Sequence, residues 1–219
     1  MLNLLEDYIP RSLPEQGGFA TNSGLTKKVN ENGGLLPFYG NTAVFLLDVA
    51  TKDMLSDLQR ELYDAAGWML AEPLAPQTFH MTLHDLSNGQ IIDAELSDRM
   101  GAARKKAEHI LRWWQEEPPL KMKTTWMFNM VSTSIVLGLA PVDEDSYYRL
   151  DAMYGALEAV VPLGYALTPH ITLAYFRPGQ YSQTETDSLR RALHPVDWTL
   201  ELRMEDLRLQ DFRDMNTYL

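Results

Sequence analysis

His80-Met81-Thr82-Leu83 and His170-Ile171-Thr172-Leu173 are the two stretches that decide how this chain is read. Each runs histidine, apolar, threonine, apolar, the alternation of a half-buried strand. In a strand, residues i and i+2 share a face. His80 and Thr82 therefore project together, as do His170 and Thr172, while Met81, Leu83, Ile171 and Leu173 turn to the core. A four-residue match is weak alone, but its surroundings repeat too. Thr42-Ala43-Val44-Phe45-Leu46 and Thr133-Ser134-Ile135-Val136-Leu137 each open an apolar strand. Each is followed by a helix, a proline-broken connection and a histidine strand. Thr42 to His80 spans 38 positions and Thr133 to His170 spans 37, so one insertion or deletion aligns the halves. A duplicated strand–helix–strand unit predicts pseudo-twofold symmetry, with the two histidines facing each other across a shared groove.

Outward from these units the pattern stays mixed. Residues 1–40 are punctuated by Pro10, Pro14, Gly17-Gly18, Gly24, Gly33-Gly34 and Pro37. They read as loops or an extended arm, with at most a short helix at the very start. The remainder, 41–219, reads as one bilobal domain with repeat halves at about 41–86 and 132–176. Helices are expected over Thr51–Ala66 (capped by Thr51 or Ser56), about 91–117 as an insertion, Asp143–Val160, and Gln183–Leu193 behind a Ser182 cap. Strands are expected at Ala43–Val49, Thr78–His84, Lys121–Asn129, Ser132–Leu139, Pro169–Phe176, Trp198–Arg203 and Asp206–Phe212. Strands and helices without strict alternation point to an α+β fold.

Bulk properties narrow the function. The 219 residues suffice to bury a core, and no apolar run approaches the ~20 residues of a membrane span. The acidic opening, Met1 to Asp7, is unlike a secretory leader, so a soluble, cytoplasmic protein is expected. There is no cysteine, which removes disulfides, thiolate zinc sites and a cysteine nucleophile. A net charge of −11 repels a nucleic-acid backbone at long range. Extended RNA or DNA is disfavoured, whereas a small phosphodiester or an RNA end is compatible with a local positive pocket. A monomer is expected.

Two imidazoles and two hydroxyls on facing strands suit phosphodiester cleavage without a metal or other cofactor. Histidine titrates near neutrality, so one ring can act as base while its twin acts as acid. The threonine hydroxyls can hold the non-bridging phosphate oxygens.

The paired H-x-T motifs, ninety residues apart, resemble those of the two-histidine (2H) phosphoesterase superfamily. That superfamily includes bacterial RNA ligase-like proteins, cyclic nucleotide phosphodiesterases and enzymes that cleave 2′,5′-oligonucleotides. The resemblance covers roughly residues 40 to 212. It implies a bilobal α+β fold with two antiparallel sheets around a central groove. It matches His80, Thr82, His170 and Thr172 to the catalytic positions. It implies hydrolysis of 2′,3′-cyclic phosphates or related 2′-linked diesters of nucleotides or RNA ends. The alternative on the same fold is a non-catalytic module that binds nucleotides or RNA ends; a metallohydrolase built on His80, His84 and carboxylates is a weaker third.

The motif has departures and neighbours. Many relatives carry arginine five positions after the second histidine; here that position is Tyr175, and the nearest arginine is Arg177. Tyr175 is expected on the face of His170 if no bulge intervenes, and Arg177 near the site only if the strand end curls. Tyr39 and His84 complete the candidate substrate contacts. His84 is placed on the face of His80, but about 13 Å along the strand, too far to share a metal ion without a bend.

Overall fold

The apolar strands of the two units assemble around a point between the histidines. The structure, a computed structural model, describes residue 9 and residues 12–219. The short helix expected at the very start of the chain lies outside the described residues. In chain order the elements are β1 (Phe19–Ala20), β2 (Tyr39–Leu46), α1 (Val49–Ala66), β3 (His80–Gly89), α2 (Ala94–Arg112), β4 (Leu120–Met130) and β5 (Ser134–Pro141). Then follow α3 (Glu144–Glu158), β6 (His170–Tyr175), β7 (Gln180–Tyr181), α4 (Gln183–Ala192), β8 (Thr199–Leu202), β9 (Leu207–Asp214) and β10 (Thr217–Tyr218). The fold is α+β. Two antiparallel halves, β10-β9-β2-β3 and β6-β5-β4-β8, meet edge to edge through the pair Met81–Ile171. Those are the residues directly after the two histidines, so the pseudo-twofold axis passes between the motifs.

The symmetry extends to the helices. α1 leaves the first half and packs on β6 of the second; α3 leaves the second half and packs on β3 of the first. Each helix buries one apolar face. Leu55, Leu58 and Leu62 of α1 fall on the inward stripe, as do Leu150, Met153 and Leu157 of α3. Both begin on an aspartate: Asp48 accepts from the Thr51 N–H and Asp143 from the Ser146 N–H. The cap of α1 is therefore Asp48, not Thr51 or Ser56, because Thr51 is already inside the first turn. Ser182 caps α4 as expected, in a reciprocal capping box with Glu185. The 91–117 helix is shorter than expected, Ala94–Arg112, and packs on β2, β3 and β9.

The register corrects the repeat by one residue. Thr42 stands opposite Asp85 and Ser134 opposite Tyr175; Val44 stands opposite Thr82 and Val136 opposite Thr172. The equivalent of Thr42 is thus Ser134, not Thr133. Thr133 instead sits in the β4–β5 turn, where its N–H and hydroxyl both bond the Met130 carbonyl.

Nor is the N-terminal arm simply extended. β1 pairs with β7, Ser23–Lys27 winds into a 3-10 turn capped by Asn22, and Leu25 and Val29 are buried in the main core.

Candidate active site

β3 and β6 carry the same burial sequence over their first six residues, half-exposed at positions one, three and six. The cause is a pair of matching bulges. On β3, Ala43 faces His84 and Val44 faces Thr82, which leaves Leu83 as the extra residue. On β6, Ile135 faces Ala174 and Val136 faces Thr172, which leaves Leu173 extra. A bulge shifts the side-chain alternation by one. The β6 bulge is held from α1: Gln59 Nε2 donates to the Leu173 carbonyl at 2.9 Å and to the Leu74 carbonyl at 3.1 Å.

The bulges decide which predicted residues reach the groove. His80, Thr82, His170, Thr172 and Tyr175 all line it. Tyr175 arrives there for a different reason than expected. Five positions is an odd offset, which a regular strand would turn to the core; the bulge at Leu173 brings the ring back. The matching bulge removes His84. Its ring is buried behind the sheet, with Nδ1 on the Asp85 carbonyl, Nε2 3.2 Å from Glu158, and Tyr154 packed on its face. Asp85 takes the groove position instead.

Two other candidates also lie away from the groove. Tyr39 opens β2 opposite Gly89, and it is the preceding Phe38 that contributes a groove wall. Arg177 passes the end of β6, where its N–H bonds the Met69 carbonyl and its side chain lines a separate shallow pocket with Gly33 and Glu72. The strand end does not curl toward the site. The cation in the groove is Lys28 from the arm, 5.0 Å above the Phe38 ring and 5.6 Å above Tyr175.

Three more groove residues escaped the sequence reading. Tyr218 of β10 meets His80 edge-on at 4.8 Å. Phe212 of β9 stacks on Phe38 at 6.0 Å. Asp85 carried a legible signal, since it stands five positions after His80 as Tyr175 stands after His170. Close packing here requires glycine at position 40, because a Cβ would overlap both the Phe212 ring and the Ser87 carbonyl.

The histidines are held alike. His80 Nδ1 lies 2.6 Å from the Thr78 carbonyl, and His170 Nδ1 lies 2.6 Å from the Thr168 carbonyl. A carbonyl only accepts, so each Nδ1 is the protonated nitrogen and each Nε2 is left for the groove. Burial pushes His80 down from 6.5 to about 4, against the opposing pull of the Thr78 carbonyl and Asp85, with His170 and Lys52 adding to the fall. Burial also lowers His170, opposed by the Thr168 carbonyl and Asp85. At pH 7 both rings of the free protein are therefore neutral. Burial raises the Tyr218 phenol well above its usual range, so it remains a neutral hydroxyl.

The groove encloses about 320 Å³, the small end of the range for small-molecule sites. A larger cavity of about 700 Å³ beside Trp126 contains no histidine. Among the described residues, no group of three or more His, Asp or Glu is arranged to hold a metal ion. No described helix is long and apolar enough to cross a membrane.

The sequence matches no family model and no curated protein. Solved structures do match. A conserved protein of unknown function from Agrobacterium tumefaciens str. C58 is 16% identical, with 91% of each chain covered and a TM-score of 0.63. E. coli LigT complexed with 3′-AMP is 14% identical over 83% of this chain and 94% of its own, at a TM-score of 0.54. A protein from Thermus thermophilus is 16% identical over 82% of this chain and 93% of its own, at a TM-score of 0.51. At these identities the likeness is one of fold: the chain has the bilobal α+β architecture that LigT also has.

Proposed function

We propose that this protein is a phosphodiesterase that hydrolyses 2′,3′-cyclic phosphates or related 2′-linked diesters of nucleotides or RNA ends, without a metal ion. The observation that carries the reading is the twinned placement of two Nδ1-anchored histidines on strands that touch between them. A symmetric pair of this kind addresses both sides of one phosphorus. The cavity volume suits a single nucleotide rather than an extended strand. The LigT structure with 3′-AMP adds support, as a nucleotide monophosphate on a similar fold.

In the proposed reaction His80 is the base. Lys52 and the facing His170 both disfavour its charged form. Its Nε2 takes a proton from water, which attacks phosphorus. Asp85 favours the charged form of both rings, but Lys52 opposes it at His80, so His170 is the ring that takes up a proton as the anionic phosphate binds. Its Nε2–H then protonates the departing ribose oxygen. Each transfer is worth on the order of 10²–10⁴-fold in rate. Thr82 and Thr172 donate to the non-bridging oxygens as charge builds there.

The test is turnover of 2′,3′-cyclic nucleotides and 2′,5′-linked dinucleotides by purified protein in chelator. Activity that survives chelation supports the proposal. Chelator-sensitive turnover would point to a metallohydrolase, and binding without turnover to a nucleotide-end-binding module.

A further inference from the structure

The catalytic quartet obeys the pseudo-twofold axis, but the positions flanking it do not. Asp85 follows His80 by five residues and faces the groove through the β3 bulge; the equivalent position on β6 is Tyr175. Lys28 lies between the Phe38 and Tyr175 rings, and no second lysine or arginine among the described residues lines the groove. The symmetric site therefore carries one carboxylate and one ammonium that its twofold axis does not repeat.

Neither charge is explained by the fold. The Asp85 carboxylate is half-buried and forms no hydrogen bond or ion pair with a described residue, although its backbone carbonyl is bonded by His84. A carboxylate in a groove that receives phosphate is unfavourable unless the ligand brings donors to it. Lys28 likewise has no carboxylate partner among the described residues, and its ammonium rests on two rings. It is nevertheless well positioned. Its N–H bonds the Leu25 carbonyl, its carbonyl accepts from Leu36, and the buried Leu25 and Val29 fix the segment on either side.

We propose that Asp85 and Lys28 set the direction and the identity of the substrate: Asp85 accepts the paired N–H groups of a guanine base, and Lys28 holds a second phosphate. The inference rests on the function proposed above and extends it. A carboxylate has two acceptor oxygens side by side. Guanine presents two adjacent donors, N1–H and the N2 amino group, and matches them in a fork. Uracil presents one N–H between two carbonyl oxygens, which repel a carboxylate. Tyr218, within electrostatic range of Asp85, supplies an aromatic surface in the same groove on which a base can stack. A good bidentate contact discriminates by about tenfold or more.

Binding is read by calorimetry on the full chain carrying His80→Gln and His170→Gln, so that no ligand is consumed. The probes are 2′,3′-cyclic GMP and 2′,3′-cyclic UMP, each with and without a 5′-phosphate. The guanine ligand is expected to bind at least tenfold tighter than the uracil ligand, and Asp85→Asn to reduce that preference below threefold. The 5′-phosphate is expected to tighten binding about tenfold, an advantage lost in Lys28→Met and kept in Lys28→Arg. Equal unfolding midpoints verify that these half-buried substitutions leave the fold intact. A base preference that survives Asp85→Asn, or a 5′-phosphate advantage that survives Lys28→Met, overturns the proposal, as does absence of binding by all four probes. Turnover by the histidine-intact chain together with base-blind binding sinks this inference and leaves the phosphodiesterase reading standing. Selective binding with no turnover does the reverse.

Discussion

Replacing His80 with glutamine should flatten the acid side of the stability profile. The imidazole is pushed down from 6.5 to about 4 in the folded chain, chiefly by burial. As pH falls below 6.5 the unfolded chain binds a proton at this position, while the native chain does so only near pH 4. Stability is therefore complete above about 6.5, drains away across that window, and falls no further below it. Full conversion corresponds to about 3 kcal/mol, and water reaching the half-buried ring reduces this to about 2 kcal/mol. Glutamine keeps a donor for the Thr78 carbonyl and does not titrate. Denaturant unfolding followed by tryptophan fluorescence, at pH 7.5 and pH 5.0, provides the comparison. Carboxylate titrations common to both proteins cancel in the difference. Wild type should lose about 1–2 kcal/mol more than His80→Gln between the two pH values. Parallel losses would mean that His80 titrates as an exposed histidine does, which would remove the physical basis for a neutral Nε2 base.

Three further outcomes follow from the same geometry. Because the competent form needs one charged and one neutral ring, and burial holds both free rings below 6.5, kcat/KM should peak on the acid side of pH 6.5. The kcat optimum should lie higher, since bound phosphate favours the charged ring; coincident optima would contradict this. Gln59→Leu removes the donor for the Leu173 and Leu74 carbonyls, and should cost about 2 kcal/mol by denaturation and lower kcat through the displaced bulge. Thr82→Val and Thr172→Val should each lower kcat by about tenfold or more with little change in KM, and a change confined to KM would assign the hydroxyls to ground-state binding.

The motifs and the duplicated units were legible in the sequence because strand alternation and repeat spacing are local properties. His80, Thr82, His170 and Thr172 reach a common groove as that alternation requires. What was not legible depends on a single inserted residue. The bulges at Leu83 and Leu173 invert the alternation beyond the motif, exchanging His84 for Asp85 and carrying Tyr175 to the groove. Nothing in an apolar leucine marks it as the extra residue; the Leu173 carbonyl finds Gln59 only through a contact 114 positions away. Lys28 was hidden for a related reason. It comes from an arm whose turn formers signalled loops, and its place over Tyr175 follows from the burial of Leu25 and Val29. The two halves do carry one local signal of the groove: counting five residues from each histidine gives Asp85 and Tyr175 together.

In the proposed mechanism the two histidines act as one unit on one phosphorus. It is tested most directly by a double-mutant cycle on turnover of a 2′,3′-cyclic nucleotide, using His80→Ala, His170→Ala and the double variant. Groups that serve the same bond-breaking event are non-additive. Each single substitution should remove nearly all activity, by about 10²-fold or more, and the double variant should be little worse than either. Losses that multiply independently, or a single variant that retains near-normal turnover, would contradict it.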